Sequence, residues 1–309
     1  MQTAWITGAG GLIGNYLVQT ALRYAPEWQM IGILRDGNRP SLPRVGGDAV
    51  AASLTSPSGV CCRLLDLADF QVVRVALKED RPQLIIHCAA LSRSPACQEN
   101  PSLARTLNVE VTACLAEQAA EIPFIFFSSD LVFDGREGHY DEAAQPNPLS
   151  VYAETKIAAE QIVLANPRHS VVRISLNGGA SPTGDRGFNE EMRRAWQAGR
   201  ILNLFRDEYR CPMAAVVTAR AIWELAAQNT PGLYHLAGSE RLSRWQIGQL
   251  IAARWPQLNP RVEPSSRNDY VGPPRPGDTS LNCAKLQKLL SFRLPGLGEW
   301  LKANPNEIF

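Results

Sequence analysis

Short runs of unbroken apolar character alternate with segments of helical periodicity through the first half of this chain. No other feature constrains its fold as strongly. TAWIT, WQMIGILR, CCRLLDL, QLIIHCAA, PFIFFSS and HSVVRIS read as strands. LIGNYLVQTALRY, DFQVVRVALKED, PSLARTLNVEVTACLAEQAAE and the segment opening at SVYAETKIAAE read as helices. A strand apolar on both faces needs cover on both sides, so the pattern predicts an α/β fold with a Rossmann-type, doubly wound parallel sheet. Its crossovers should be right-handed. Residues from about Arg39 to Val60 are rich in Pro, Gly and Ser and read as a surface loop or insertion.

After Ser175 the pattern changes. LNGGASPTGDRGF reads as loop and NEEMRRAWQAGR as a polar helix. AAVVTARAIWELAAQ and GLYHLAG read as a helix and strand that return to the sheet, and the remainder alternates short helices with Pro-rich links. At 309 residues the chain exceeds one compact core. The expected division is a dinucleotide-binding domain of residues 1–175 joined by 214–238, and a smaller C-terminal substrate-binding lobe of 176–213 and 239–309.

ITGAGGLIG places Gly8, Gly11 and Gly14 at the first strand–helix junction. Glycines there permit a tight turn, close approach of backbone to a pyrophosphate, and close helix–strand packing. The helix that follows offers free N–H groups to phosphates. Gly8, Gly10, Gly11, Leu12, Ile13 and Gly14 are therefore candidates to bind a dinucleotide. At the end of the second strand Arg35 stands where an acidic residue would bind a ribose 2′-hydroxyl, with Asp36 next and Arg39 near. A guanidinium suits a 2′-phosphate, so NADP(H) is favoured. NAD(H) is the alternative, with Asp36 on the ribose and Arg35 a solvated charge. Asp66 and Leu67 end the third strand. Asp66 either accepts from an adenine amino group while Leu67 packs on the ring, or caps the next helix.

The formal net charge is +1, which gives no reason to expect nucleic acid or an anionic membrane as partner. The seven cysteines include no C-x-x-C pair, so neither a metal site nor a disulfide framework is expected, and a reduced cytoplasmic setting fits. The N-terminus lacks the pattern of a signal peptide, and no apolar run reaches membrane-spanning length. His87, on an apolar strand, reads as a core histidine; His139 and His169 read as loop residues.

Tyr152 precedes Lys156 by four residues, which puts both on one face of a helix. Together with SSDLVFDGREGHYDEAAQPNPLSVYAETKIAAE, this spacing resembles the extended short-chain dehydrogenase/reductases, and within them the dTDP-4-dehydrorhamnose reductase branch. CAALSRSPACQENPSLARTLNVE is similar to the same branch at Ala89, Ala90 and Asn108. GLYHLAG and RPGDTSLNCAKL carry the resemblance almost to the C-terminus.

The resemblance implies a catalytic set. Tyr152 would give a proton to a carbonyl oxygen as hydride reaches the carbon. A free phenol, pKa about 10, is a sluggish acid at neutral pH, and the Lys156 charge would lower that value. Lys156 would also bind the nicotinamide ribose. Ser129 would orient the carbonyl, and Ser128 would meet the cofactor through its backbone, as would Ala89 and Ala90. Asp130 either handles protons or sugar, or shapes its loop. Arg275 would contact a substrate diphosphate, and Phe133, Phe188 and Asn189 would line the sugar or base pocket. The implied substrate is a nucleotide sugar, and a homodimer is compatible with the branch.

The chain also departs from that branch. LNGG follows VVRIS where aromatic residues are usual, and Glu208, Arg210 and Met213 replace the usual Gln, Gly and Thr of a later run. A dehydratase would need an Asp-Glu pair beside the serine, whereas Leu131 follows Asp130. The leading expectation is a keto-sugar reductase. The alternatives are an epimerase or dehydratase, or a non-catalytic NADP-binding regulatory subunit like one relative of the branch, the beta subunit of methionine adenosyltransferase.

Overall fold

Residues of one strand send alternate side chains to opposite faces, and here both faces are apolar. The structure, a computed structural model, describes residues 2–35, 54–55, 61–272, 274–307 and 309. Its strands are β1 (Gln2–Thr7), β2 (Trp28–Leu34), β3 (Leu54–Thr55), β4 (Cys61–Leu64), β5 (Leu84–His87), β6 (Phe124–Ser129) and β7 (His169–Ile174). They continue with β8 (Asn177–Gly178), β9 (Leu202–Phe205), β10 (Tyr209–Arg210), β11 (Met213–Ala214), β12 (Gly232–Leu236), β13 (Leu242–Ser243) and β14 (Val262–Ser265). The central sheet runs β12-β7-β6-β5-β1-β2-β4-β3. Seven of these strands are parallel, and β3 pairs with β4 antiparallel at the edge. This is the Rossmann-type sheet expected from the alternation of apolar runs.

The helices are α1 (Leu12–Tyr24), α2 (Phe70–Asp80), α3 (Ser94–Glu99), α4 (Pro101–Arg105), α5 (Val111–Gln118), α6 (Val151–Leu164), α7 (Phe188–Gln197), α8 (Ala215–Gln228), α9 (Arg244–Ala252), α10 (Ala284–Gln287) and α11 (Leu297–Ala303). On one face of the sheet Ala4, Ile6, Ile86, Ile125 and Phe127 pack with Leu17 of α1 and Ile222 and Trp223 of α8. On the other face Trp5, Ile85, Phe124 and Phe126 pack with Val73 of α2, Leu115 of α5 and Val163 of α6. Burying such side chains is worth about 1.5–3 kcal/mol each, so two apolar faces hold three layers together. The short strands pair as β10-β13, β11-β8 and β14-β9, outside the sheet.

Two features differ from the sequence reading. The long helix from Pro101 is broken by a π turn at Thr106–Glu110 and ends at Gln118. The turn accommodates Asn108, whose side chain is engaged by the neighbouring loop and by α6. His169 is not a loop residue: it begins β7, is buried, and sets Nε2 3.1 Å from the Ala119 carbonyl.

Candidate functional site

Strand order reverses between β1 and β5, with β2 and β4 to one side and β6, β7 and β12 to the other. Ligands of open parallel sheets lie at such a switch point, beyond the carboxyl ends of the strands. A cleft of about 1340 Å³ opens there. Gly8, Gly10, Gly11, Leu12, Ile13 and Gly14 form part of its lining. Gly8 has φ +68°, and a Cβ on it would meet the Ala89 nitrogen at 2.8 Å. A Cβ on Gly14 would lie 2.3 Å from the Gly8 carbonyl oxygen. Gly11 N–H donates to that same oxygen at 2.8 Å and caps α1 without a side-chain hydrogen bond. The first-turn N–H groups of α1 are thus left for a ligand. This bare turn fits the phosphates of a dinucleotide.

Below the turn runs a buried chain of hydrogen bonds. Cys88 and Ala89 N–H both donate to Thr7 Oγ1 at 3.2 Å, and Thr7 Oγ1 lies 2.6 Å from His87 Nδ1. His87 Nε2 is 3.1 Å from Thr112 Oγ1, which donates to the Asn108 carbonyl at 2.8 Å. These directions require the proton on Nε2. His87 is a satisfied core histidine, and burial pushes its pKa down to about 3. Asn108 extends the chain sideways. Its Oδ1 accepts from Leu91 N–H at 2.8 Å, and its Nδ2 donates to Thr155 Oγ1 of α6 at 3.0 Å.

α6 is capped by Ser150, whose Oγ accepts from Ala153 N–H at 3.3 Å. The helix carries Tyr152 and Lys156 to the cleft, where Ser128 and Ser129 of β6 meet them. Tyr152 is 8% exposed. Its proton affinity is raised, chiefly by burial; the neighbouring Ser129 hydroxyl opposes the rise and the Asp130 charge adds to it. The net shift runs opposite to the acidification expected from Lys156. Lys156, 3% exposed, donates from Nζ to the Phe127 carbonyl at 2.8 Å and lies 4.4 Å from the centre of the Phe126 ring. Burial brings its pKa down to about 8. Ser128 Oγ is buried with no hydrogen-bond partner among the described residues.

The far wall carries arginines. Arg210, Arg244 and Arg275 all line the cleft. Arg210 donates from Nε to Asp130 Oδ2 at 2.6 Å and from Nη2 to Asp130 Oδ1. Asp130 is fully buried and also accepts from Ser175 Oγ at 2.6 Å and Thr279 Oγ1 at 3.3 Å. Arg275 grips the buried Glu208 through two bonds of 2.7 and 3.1 Å. Burial alone would raise the Glu208 pKa, but Arg275, Arg244 and Arg210 hold it low. Arg244 N–H donates to the Glu208 carbonyl at 2.9 Å, while its guanidinium approaches the Glu208 carboxylate only to 4.0 Å and makes no hydrogen bond among the described residues. Across the cleft mouth, Arg93 Nη2 reaches the Asp185 carbonyl at 3.2 Å and its carboxylate at 3.5 Å.

Of the other candidates, Arg35 follows β2 and lines the cleft, as do Asp66, Leu67, Ala89, Ala90 and Phe188. Asp66 Oδ1 accepts from Ala68 N–H at 3.0 Å, so it shapes its own loop. Asp36 and Arg39 lie outside the described residues. Phe133 does not line the cleft: it is buried in a separate apolar cluster, stacked on Tyr140 with ring centres 4.1 Å apart. Asn189 is buried too, its amide spent on the N–H and carbonyl of Gly179, both at 3.0 Å. Arg244 was missed by sequence reasoning, although the Ser243–Gln246 capping box marks a helix start that would have placed it.

The model of the RmlD substrate binding domain family matches residues 2–307. The chain is 29% identical over 310 residues to a probable low-salt glycan biosynthesis reductase, Agl14, of Haloferax volcanii, covering 97% of this chain and 96% of the relative. It is 28% identical over 295 residues to methionine adenosyltransferase 2 subunit beta of Xenopus laevis, covering 93% and 82%. Its fold is similar to that of dTDP-4-dehydrorhamnose reductase from Bacillus anthracis in complex with NADP. There the TM-score is 0.80 at 22% identity, over 98% of each chain.

Proposed function

Since the chain belongs to the RmlD substrate binding domain family, we propose that it is an NAD(P)H-dependent reductase of a keto group on a nucleotide sugar. The observation that carries this reading is that Ser129, Tyr152 and Lys156 line one cleft together with the bare glycine turn. The residues of 1–175 with 214–238 hold the dinucleotide, and 176–213 with 239–309 shape the sugar side. A bound nicotinamide supplies the hydride.

Tyr152 gives its proton to the carbonyl oxygen, and Ser129 fixes that oxygen against it. A phenol of raised proton affinity is neutral at working pH, which is the form that donates. Lys156 keeps a positive charge at this wall and would hold the nicotinamide ribose. Arg35 favours NADP(H) over NAD(H), since a guanidinium pairs with a 2′-phosphate. The substrate diphosphate meets Arg244, whose guanidinium makes no hydrogen bond among the described residues, with Arg275 beside it. Asp130, saturated by Arg210 and three hydroxyls, holds the site rather than moving a proton.

The similarity to methionine adenosyltransferase 2 subunit beta supports a second reading, a subunit that binds dinucleotide and regulates a partner enzyme. One experiment separates the two: NADPH consumption with a panel of 4-keto nucleotide sugars, run beside a pull-down. Turnover that disappears in Tyr152→Phe supports the reductase. No turnover with any sugar, together with a stoichiometric protein partner, replaces it with the regulator.

A further inference from the structure

Arg210 is 5% exposed, yet it lines the cleft. A guanidinium carries five N–H donors in a rigid plane. Asp130 takes one edge of that plane through Nε and Nη2. The carboxylate cannot swing away, because Ser175, Thr279 and Ser129 hold it as well, at 2.6, 3.3 and 3.3 Å. Nη1 makes no hydrogen bond among the described residues, so a fixed donor edge is left over. Its place is the reacting end of the cleft: Asp130 accepts from Ser129, which lines the cleft with Tyr152 and Arg210. Arg244 and Arg275 gather instead around Glu208.

Charge decides what that edge can take. Asp130 already neutralises Arg210, and both are buried. A second carboxylate on that edge would crowd against Asp130 and Glu208, at a cost in like-charge repulsion, and has the unbonded guanidinium of Arg244 to turn to instead. A neutral acceptor oxygen carries no such penalty. We infer that Arg210 is a specificity-determining residue whose unshared edge donates to the hydroxyl next to the reacting ketone, the 3-hydroxyl of a 4-keto sugar. The inference rests on the nucleotide-sugar reading above and deepens it.

The test is calorimetric binding of dTDP-glucose and its 3-deoxy counterpart to the NADP-saturated protein. The wild type is expected to bind the 3-hydroxyl compound about tenfold more tightly, the worth of one hydrogen bond to a charged donor. Arg210→Lys keeps the charge but loses the fork, and should shrink that ratio to within about twofold. Equal affinities in the wild type, or an unchanged ratio in the variant, overturn the inference. Should the variant fail to fold, the wild-type ratio decides, a value near one being fatal. If neither compound binds, this inference falls together with the nucleotide-sugar reading. If the preference holds while no keto sugar is reduced, the reductase reading fails and the role of Arg210 stands.

Discussion

Tyr152 and Lys156 share a wall, but burial moves their proton affinities in opposite directions. A buried phenol is a reluctant anion, and a buried ammonium a reluctant cation. Replacing Tyr152 with Phe removes the acid and leaves the fold, so turnover should drop by about a thousandfold while NADPH affinity stays. Stopped-flow turnover and fluorescence titration check the two halves. With a lysine pKa of about 8, the ammonium is lost as pH rises through that value. The profile of kcat/KM, which reports the free enzyme, should therefore fall above about pH 8. A flat profile to pH 10 would contradict a role for that charge. The phenol–lysine pair was legible in the sequence because four-residue spacing is a local property of a helix. Asp130 and Arg210 meet across 80 positions, and Arg275 and Glu208 across 67. No local pattern encodes those meetings, which is why the sequence offers Arg275 as a diphosphate contact and gives Asp130 two readings.

Elements place these residues by contacts that can be broken one at a time. Gly14 abuts the Gly8 carbonyl at a distance no Cβ tolerates, so Gly14→Ala must push α1 off the turn. A displacement of about 1 Å can cost a hundredfold in a positioned site, and dinucleotide affinity should fall by about that factor. Equilibrium dialysis with NADPH measures it. Behind the working face of α6, Glu160 accepts from Arg173 of β7 through bonds of 2.9 and 2.7 Å, both side chains being 4% exposed. Glu160→Ala strands the guanidinium, and urea unfolding should show a loss of about 3–5 kcal/mol. The strands were readable because continuous apolar runs have one interpretation in an alternating chain. The π turn at Thr106–Glu110 was not, because Asn108 within it reaches Leu91 and Thr155, 17 and 47 positions away, and no local pattern encodes those contacts.

At the scale of the molecule, buried neutral histidines set the acid limit. His87 and His235 titrate near 3 and 4, burial being the first cause in each and Arg173 adding to the second. In the unfolded chain both bind protons near pH 6.5. The stability they contribute is complete above that pH and is lost as pH falls toward their folded values. Each should contribute a slope of about 1.4 kcal/mol per pH unit through the window from 6 to 5. His87→Asn should remove about half of the combined slope, read by urea unfolding at a series of pH values. Among the described residues no helix is long and apolar enough to cross a membrane. The contact of Arg93 with Asp185 ties one bank of the cleft to the other. Concentrated salt slackens such a tie, so dinucleotide should enter sooner in brine even as its phosphates are gripped less firmly. Traffic and grip would then answer the same dissolved ions in opposite senses.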